Sequence, residues 1–185
     1  MAEMAAAIGD AESARRFSGQ DARLTTRFRK HGNHLQTGFL GTSVLMDTLS
    51  EQRASGMAHT LLLNRDVPSW LHYVCEGCMN SFNHYAYGSV LAWMYGRMAG
   101  IRPDPKAPGF RHFFLTPEVD GRVKGLKARY VSPHGVIESA WKVDEKGEQS
   151  FRFVIPEGTS ATVVIPGGRN FELGPGTYEI PERED

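Results

Sequence analysis

The sequence predicts an α+β chain in two parts: a helical segment over residues 1–108 and a small antiparallel β-sandwich over residues 109–185. Three observations carry this expectation. Apolar residues recur at helical spacing as far as Gly100, most clearly in MNSFNHYAYGSVLAWMYGRMAG at Met79–Gly100. From Arg111 the period falls to two, the alternation of a strand with one buried face. Between the two patterns, IRPDPKAPGF sets Pro103, Pro105 and Pro108 close together, which reads as a stiff, extended linker.

Taken in order, Met1 to Phe17 is Ala-rich and helical, with Met4, Ala7 and Ile8 in phase and a break at Gly9-Asp10. Asp21 to Lys30 continues as a short basic helix carrying Leu24 and Phe28, stopped by His31-Gly32-Asn33. Gly38 to Gly56 is a second main helix, apolar at Phe39, Leu40, Val44, Leu45 and Leu49. Met57 to Asn64 is a third, closed by Arg65-Asp66 and by Pro68, which restricts the residue before it as well as its own backbone. Trp70, Leu71, Tyr73 and Val74 form an aromatic-rich segment in which Trp70 is either a core residue or a platform for a sugar face.

In the Met79–Gly100 stretch, Asn80, Ser81 and Asn83 supply short side chains that accept bonds from the free N–H groups of a helix start. Ala86, Gly88, Ala92, Gly96 and Ala99 interleave with Tyr85, Val90, Leu91, Trp93, Met94 and Met98, the pattern of a helix lying close against another. His84 falls in the first turn, and spacing alone reads it as a buried, hydrogen-bonded histidine.

The second half reads as strands. Phe113 and Leu115 alternate with polar neighbours, as do Leu126, Ala128 and Tyr130, and SPHG at Ser132–Gly135 turns the chain. Ile137 to Val143 alternates next, and DEKG at Asp144–Gly147 is a hairpin turn with glycine at its left-handed position. Phe151, Phe153 and Ile155 make a further strand, Ala161, Val163 and Ile165 another, and Pro175-Gly176 turns into Thr177–Ile180.

Composition excludes several functions. Lys plus Arg equals Asp plus Glu at 21 each, so no net field favours nucleic acid or an anionic membrane. No apolar run approaches the roughly 20 residues of a membrane span, and MAEMAAAIGDAESARR lacks the basic and apolar regions of a signal peptide. The chain reads as soluble, with no address. Cys75 and Cys78 form a lone CEGC motif read as two free thiols; a zinc site lacks a second cysteine pair, and a redox pair lacks its βαβ context. No metal and no cofactor is expected. GxSxG, P-loop and HExxH motifs are absent.

The motifs MNSFNHYAYG and AGIRPDPKAPGFRHFFLTP resemble the end of the catalytic domain of bacterial-type α-L-rhamnosidases, glycoside hydrolase family seventy-eight. HLQTGFLGT at His34–Thr42 and LLLNRDVPSW at Leu61–Trp70 resemble two further motifs of that family in the same order, and the likeness runs from Met1 to about Pro166. The resemblance implies an (α/α)6 barrel followed by a β-sandwich, and the inverting hydrolysis of terminal α-L-rhamnose from glycosides. It implies that His84 lies in the sugar pocket, with Trp70 as the second substrate-binding candidate.

Two departures qualify it. The helices expected between the Ala-rich helix and HLQTGFLGT are missing. Between Gly77 and Met79 the family carries a GATTxWE motif, whose glutamate is its general base, and a glycine-rich loop; here CEG meets CMNSF directly. The general acid belongs to a region upstream of Met1. Inverting hydrolysis needs two carboxyl groups about 6.5–9.5 Å apart, and the remaining acids of the helical half read as solvated, with only Glu76 near His84 in sequence. Residues 1–108 supply about four or five helices of mean length, too few to close a barrel.

The expectation is therefore an incomplete (α/α)6-type barrel segment with a sandwich, a rhamnosidase-like fragment inactive by itself, its binding of rhamnose-containing glycosides weakened or lost. The alternative is a non-catalytic structural or weakly carbohydrate-binding protein. Phe39, Leu40, Leu45, Leu62, Trp93 and Met94 are expected to lose packing partners, leaving a face for self-association.

Overall fold

The computed structural model describes residues 25–71 and 85–181, which fall into two compact units meeting at Val90–Leu91. The N-terminal unit is helical. Residues 25–30 form a helical turn that buries Phe28, and Asn33 N–H donates to Phe28 O (2.8 Å) as Gly32 and Asn33 take left-handed backbone. Helix α1 (Phe39–Glu51) and helix α2 (Ser55–Leu63) pack as a hairpin, burying Leu45, Met46 and Leu49 with Met57, Ala58, Leu61 and Leu62.

The turn between them explains why α1 ends before Gly56. Ala54 N–H donates to Leu49 O (2.8 Å) and Arg53 N–H to Ser50 O (3.0 Å), with Arg53 left-handed at φ 57°. These two bonds satisfy carbonyls the helix would otherwise leave orphaned, a closure usually built on glycine. An arginine in that role gives no sequence signal.

The expected Met79–Gly100 helix is described from Tyr85 onward and is not continuous. Helix α3 (Tyr85–Gly88) and helix α4 (Val90–Trp93) flank Ser89, whose hydroxyl donates to Ala86 O (2.8 Å), and Met94–Met98 forms a π-helical turn. Of the six residues expected to lose their packing, Leu45, Leu62 and Trp93 are buried instead. Leu40, at 81% exposure, is the one left in solvent; Met94 is half-buried, and the side chain of Phe39 lies outside the described set.

The C-terminal unit is a sandwich of two four-stranded sheets. One sheet has the order β1 (Ile101–Pro103), β2 (His112–Leu115), β6 (Ser160–Val164), β7 (Asn170–Leu173). The other has β3 (Gly125–Ser132), β4 (Gly135–Val143), β5 (Gln149–Ile155), β8 (Gly176–Pro181). Phe113, Leu115, Ala161 and Val163 of the first sheet meet Ile137, Trp141, Phe151, Phe153 and Ile155 of the second in one core. The alternating residues read as strands thus face inward.

Two features differ from the expectation. The β2–β6 pair is parallel, with Phe113 opposite Ala161 and Leu115 opposite Val163, because the chain crosses through the other sheet between them. The proline run is not a free linker: Ile101–Pro103 is an edge strand paired with β2, and Asp104 to Phe110 is the turn between them. Pro103 is tolerated because an edge position spares its missing N–H.

The π-helical turn is stitched into this core. Trp141 Nε1–H donates to Met98 O (2.8 Å) and the Ser139 hydroxyl to Ala99 O (2.6 Å), so buried side chains of β4 satisfy its last carbonyls. Gly100, at φ 72°, then turns the chain into β1.

Candidate functional site

His84 lies outside the described residues, as do Cys75, Glu76 and Cys78. Trp70 is described, and its surroundings follow from the sequence before it. At the end of α2, Asn64 takes an extended backbone, and its Oδ1 accepts the Asp66 N–H (3.0 Å), an Asx turn that carries the chain away. The Asn64 amide donates to Asn33 O (2.8 Å) and lies 3.4 Å from His34 Nδ1. Leu35 N–H donates to Pro68 O (3.2 Å), beside the cis Val67–Pro68 peptide. Hydrogen bonds spanning some thirty residues therefore bind the HLQTG motif to the NRDVPSW motif.

Beside this junction, the Thr37 and Thr42 hydroxyls meet at 2.8 Å at the mouth of α1, with Thr42 Oγ1 also 3.2 Å from the carbonyls of Thr37 and Gly38. The Tyr85–Gly88 turn of the third motif packs on α1. The fold thus gathers the described parts of three separated motifs around one helix.

Trp70 is 5% exposed, and its buried indole N–H has no hydrogen-bond partner among the described residues. That burial is what a core residue has, and an unmet indole N–H is costly in such a setting. The motif residues described here contribute amides, hydroxyls and imidazole, groups that orient a ligand. Their one carboxylate, Asp66, is exposed. An acid and a base for inverting hydrolysis are not assembled among them. Among the described residues, no group of three His, Cys, Asp or Glu side chains is placed to hold a metal.

Two concavities lie elsewhere. One, of about 450 Å³, is lined by Arg29, Asn33, Arg53, Gly56 and Met57 on the helical unit. The other, about 1010 Å³ and open, lies along the second sheet of the sandwich beside Lys127, Glu138, Ala140, Arg152 and Glu179. Glu138 holds Arg152 there at 2.8 Å and Lys127 at 3.8 Å. Its nearby aromatics, Trp141 and Phe151, are buried in the core and offer no stacking face to a sugar. The sequence reading missed the Asn64–Asn33 tie, for which an Asx-forming Asn at a helix end was the available signal.

Comparison with known proteins bears on this arrangement. Residues 4–98 match the bacterial alpha-L-rhamnosidase 6 hairpin glycosidase domain, and residues 100–177 match the bacterial alpha-L-rhamnosidase C-terminal domain. The chain is 35% identical to an alpha-L-rhamnosidase of Streptomyces avermitilis over 153 positions, covering 72% of this chain and 15% of that protein. An alpha-L-rhamnosidase of Formosa agariphila is 32% identical, with 77% and 17% covered.

Among solved structures, native α-L-rhamnosidase from Aspergillus terreus superposes with a TM-score of 0.83 at 28% identity, covering 94% of this chain and 22% of that one. The Streptomyces avermitilis enzyme complexed with L-rhamnose gives 0.82 at 29% identity, covering 93% and 20%. The chain therefore spans about a sixth of the length of these curated relatives.

Proposed function

Because this chain belongs to the bacterial α-L-rhamnosidase family, we propose that its 185 residues carry part of the sugar-binding wall of such an enzyme without its hydrolytic chemistry. One observation carries the reading: the segment that resembles the family's general-base motif is missing where Gly77 meets Cys78. The length of the match supports it. Seventy-two per cent of this chain is fewer residues than the 153 aligned positions, so within the matched stretch the Streptomyces relative has residues that this chain lacks.

His84 and Trp70 are the proposed contacts for a terminal rhamnose. Binding is weak, because a single sugar buries little area and an open site stays wet.

The test is to incubate the purified chain with an aryl α-L-rhamnoside and, separately, to titrate L-rhamnose while following histidine ring resonances. The expected result is no aglycone release above buffer and a small saturable shift of His84. Removal of one catalytic carboxylate typically costs orders of magnitude in rate. Turnover that vanishes in Glu76→Gln would overturn the loss of chemistry, and an unmoved His84 would overturn the retained wall.

We further propose self-association through α1, where Leu40 and Val44 stand one turn apart at 81% and 57% exposure. Sedimentation should show oligomers that dissociate in Leu40→Lys. A wild-type chain that is monomeric at all concentrations would exclude this surface.

A further inference from the structure

The outer face of the second sheet of the sandwich holds a charged hollow that the rhamnosidase reading does not use. Leu126 and Ala128 of β3, Trp141 of β4 and Phe151 of β5 turn into the core, so the residues alternating with them stand outward. Strand register aligns those outward residues in rows. One row runs Lys127, Ala140, Arg152, Glu179, and the next runs Gly125, Lys142, Ser150, Pro181. Gly125, Ala140 and Ser150 are small and floor the open hollow of about 1010 Å³, which the longer Lys127, Lys142 and Arg152 also line. Lys127 and Arg152 flank Ala140 from the two neighbouring strands, which sets their Cα atoms about 10 Å apart.

Charge is segregated onto this face. The whole chain balances 21 lysines and arginines against 21 carboxylates. The outward positions of these four strands carry Lys127, Arg129, Lys142 and Arg152 against only Glu138 and Glu179. One of those two carboxylates is already engaged. Glu138, its side chain 18% exposed, accepts from Arg152 Nη1 at 2.8 Å and lies 3.8 Å from Lys127 Nζ. A single carboxylate shared by cations from the strands on either side holds both beside the hollow and leaves their positive charge in excess.

We propose that this hollow binds an anionic polysaccharide chain, lying across β3, β4 and β5 with its carboxylate or sulfate groups at Lys127, Lys142 and Arg152. Nucleic-acid bases stack on aromatic side chains, and none of the outward positions in these strands is aromatic. A protein partner draws its affinity from large buried anchors, and the outward aliphatic groups in the hollow are only those of Ala140 and Pro181. An acidic saccharide needs neither: the cations meet its acid groups, and the Ser150 hydroxyl and Glu179 carboxylate meet its hydroxyls. The site lies on the sandwich and does not depend on the sugar wall proposed for the helical unit.

The test is to titrate the full chain at low salt with oligogalacturonate, dextran sulfate, unmodified dextran and poly-aspartate, following backbone amides by NMR. The expected result is saturable shifts at Ala140, Lys142 and Ser150 with one or both anionic saccharides, weakening as salt is added. The two anionic probes separate carboxylate from sulfate recognition. Lys127→Gln combined with Lys142→Gln, both at exposed positions, should weaken binding about fivefold, the loss of two solvent-exposed ion pairs. Four results overturn the proposal: no shift with either anionic saccharide, or shifts that fall away from β4 and β5; dextran bound as tightly as its sulfate; poly-aspartate bound more tightly than both saccharides, which marks an acidic-polypeptide site; and an affinity unchanged in the double variant.

Discussion

At Gly100 a left-handed backbone coincides with a near neighbour. A Cβ there would overlap the Thr116 carbonyl carbon and the Pro117 nitrogen, while Thr116 N–H donates to Gly100 O at 3.0 Å. Backbone cannot yield as a flexible side chain would, so Gly100→Ala should destabilise the sandwich by roughly 3 kcal/mol. Denaturant unfolding measures this, and a loss below about 1 kcal/mol would mean that the strand shifts freely. Gly147 at φ 86° sits in the DEKG turn, where Asp144 Oδ1 accepts the N–H groups of Lys146 and Glu148, and that turn was legible from the residues alone. Arg53 and Phe110, both at positive φ without being glycine, were not. Arg53 closes α1 in a place usually taken by glycine, and the Phe110 ring lies 4.8 Å from that of Tyr130, a contact that no local propensity encodes.

Elements were legible where one face is buried against a uniform core. β4, β5 and β6 alternate cleanly, β3 does so over Gly125–Arg129 and β8 over Thr177–Pro181, and all five lie where the period of two put them. β1 and β7, of three and four residues, are too short to show a period, and Pro103 disguised β1 as linker. The parallel β2–β6 pairing was invisible because alternation fixes which face is buried, not which strand lies alongside. The β1–β2 turn also gives a pH prediction at this scale. Since folding depresses the Asp104 carboxyl, its contribution is present above the unfolded carboxylate value and is lost as pH falls through the folded one. Asp104→Asn should therefore lower the melting temperature at neutral pH and show a flatter decline in acid than the wild type. Parallel acid curves for the two proteins would refute that role.

Across the whole molecule the two units differ in completeness. The sandwich closes a core from both sheets, with Phe113, Leu115, Ile137 and Phe153 at 0% exposure. The described helices bury one side of α1 and leave Leu40 and Val44 outside, in a chain covering about a fifth of the rhamnosidase structures it resembles. Motif order made the family legible, and the absence of the base motif from the sequence is what the proposed loss of chemistry rests on. The burial of Trp70 was not legible, since a lone tryptophan has the same spacing in a core as on a platform. The central claim is an incomplete barrel segment joined to a complete sandwich, and exposed apolar area of that kind draws on a folding margin of only about 5–15 kcal/mol. Hydrogen exchange of the full chain, read by mass spectrometry, tests this most directly. The account predicts that amides of α1 and α2 exchange well before those of β4 and β5; equal protection of all four in a monodisperse monomer would contradict it.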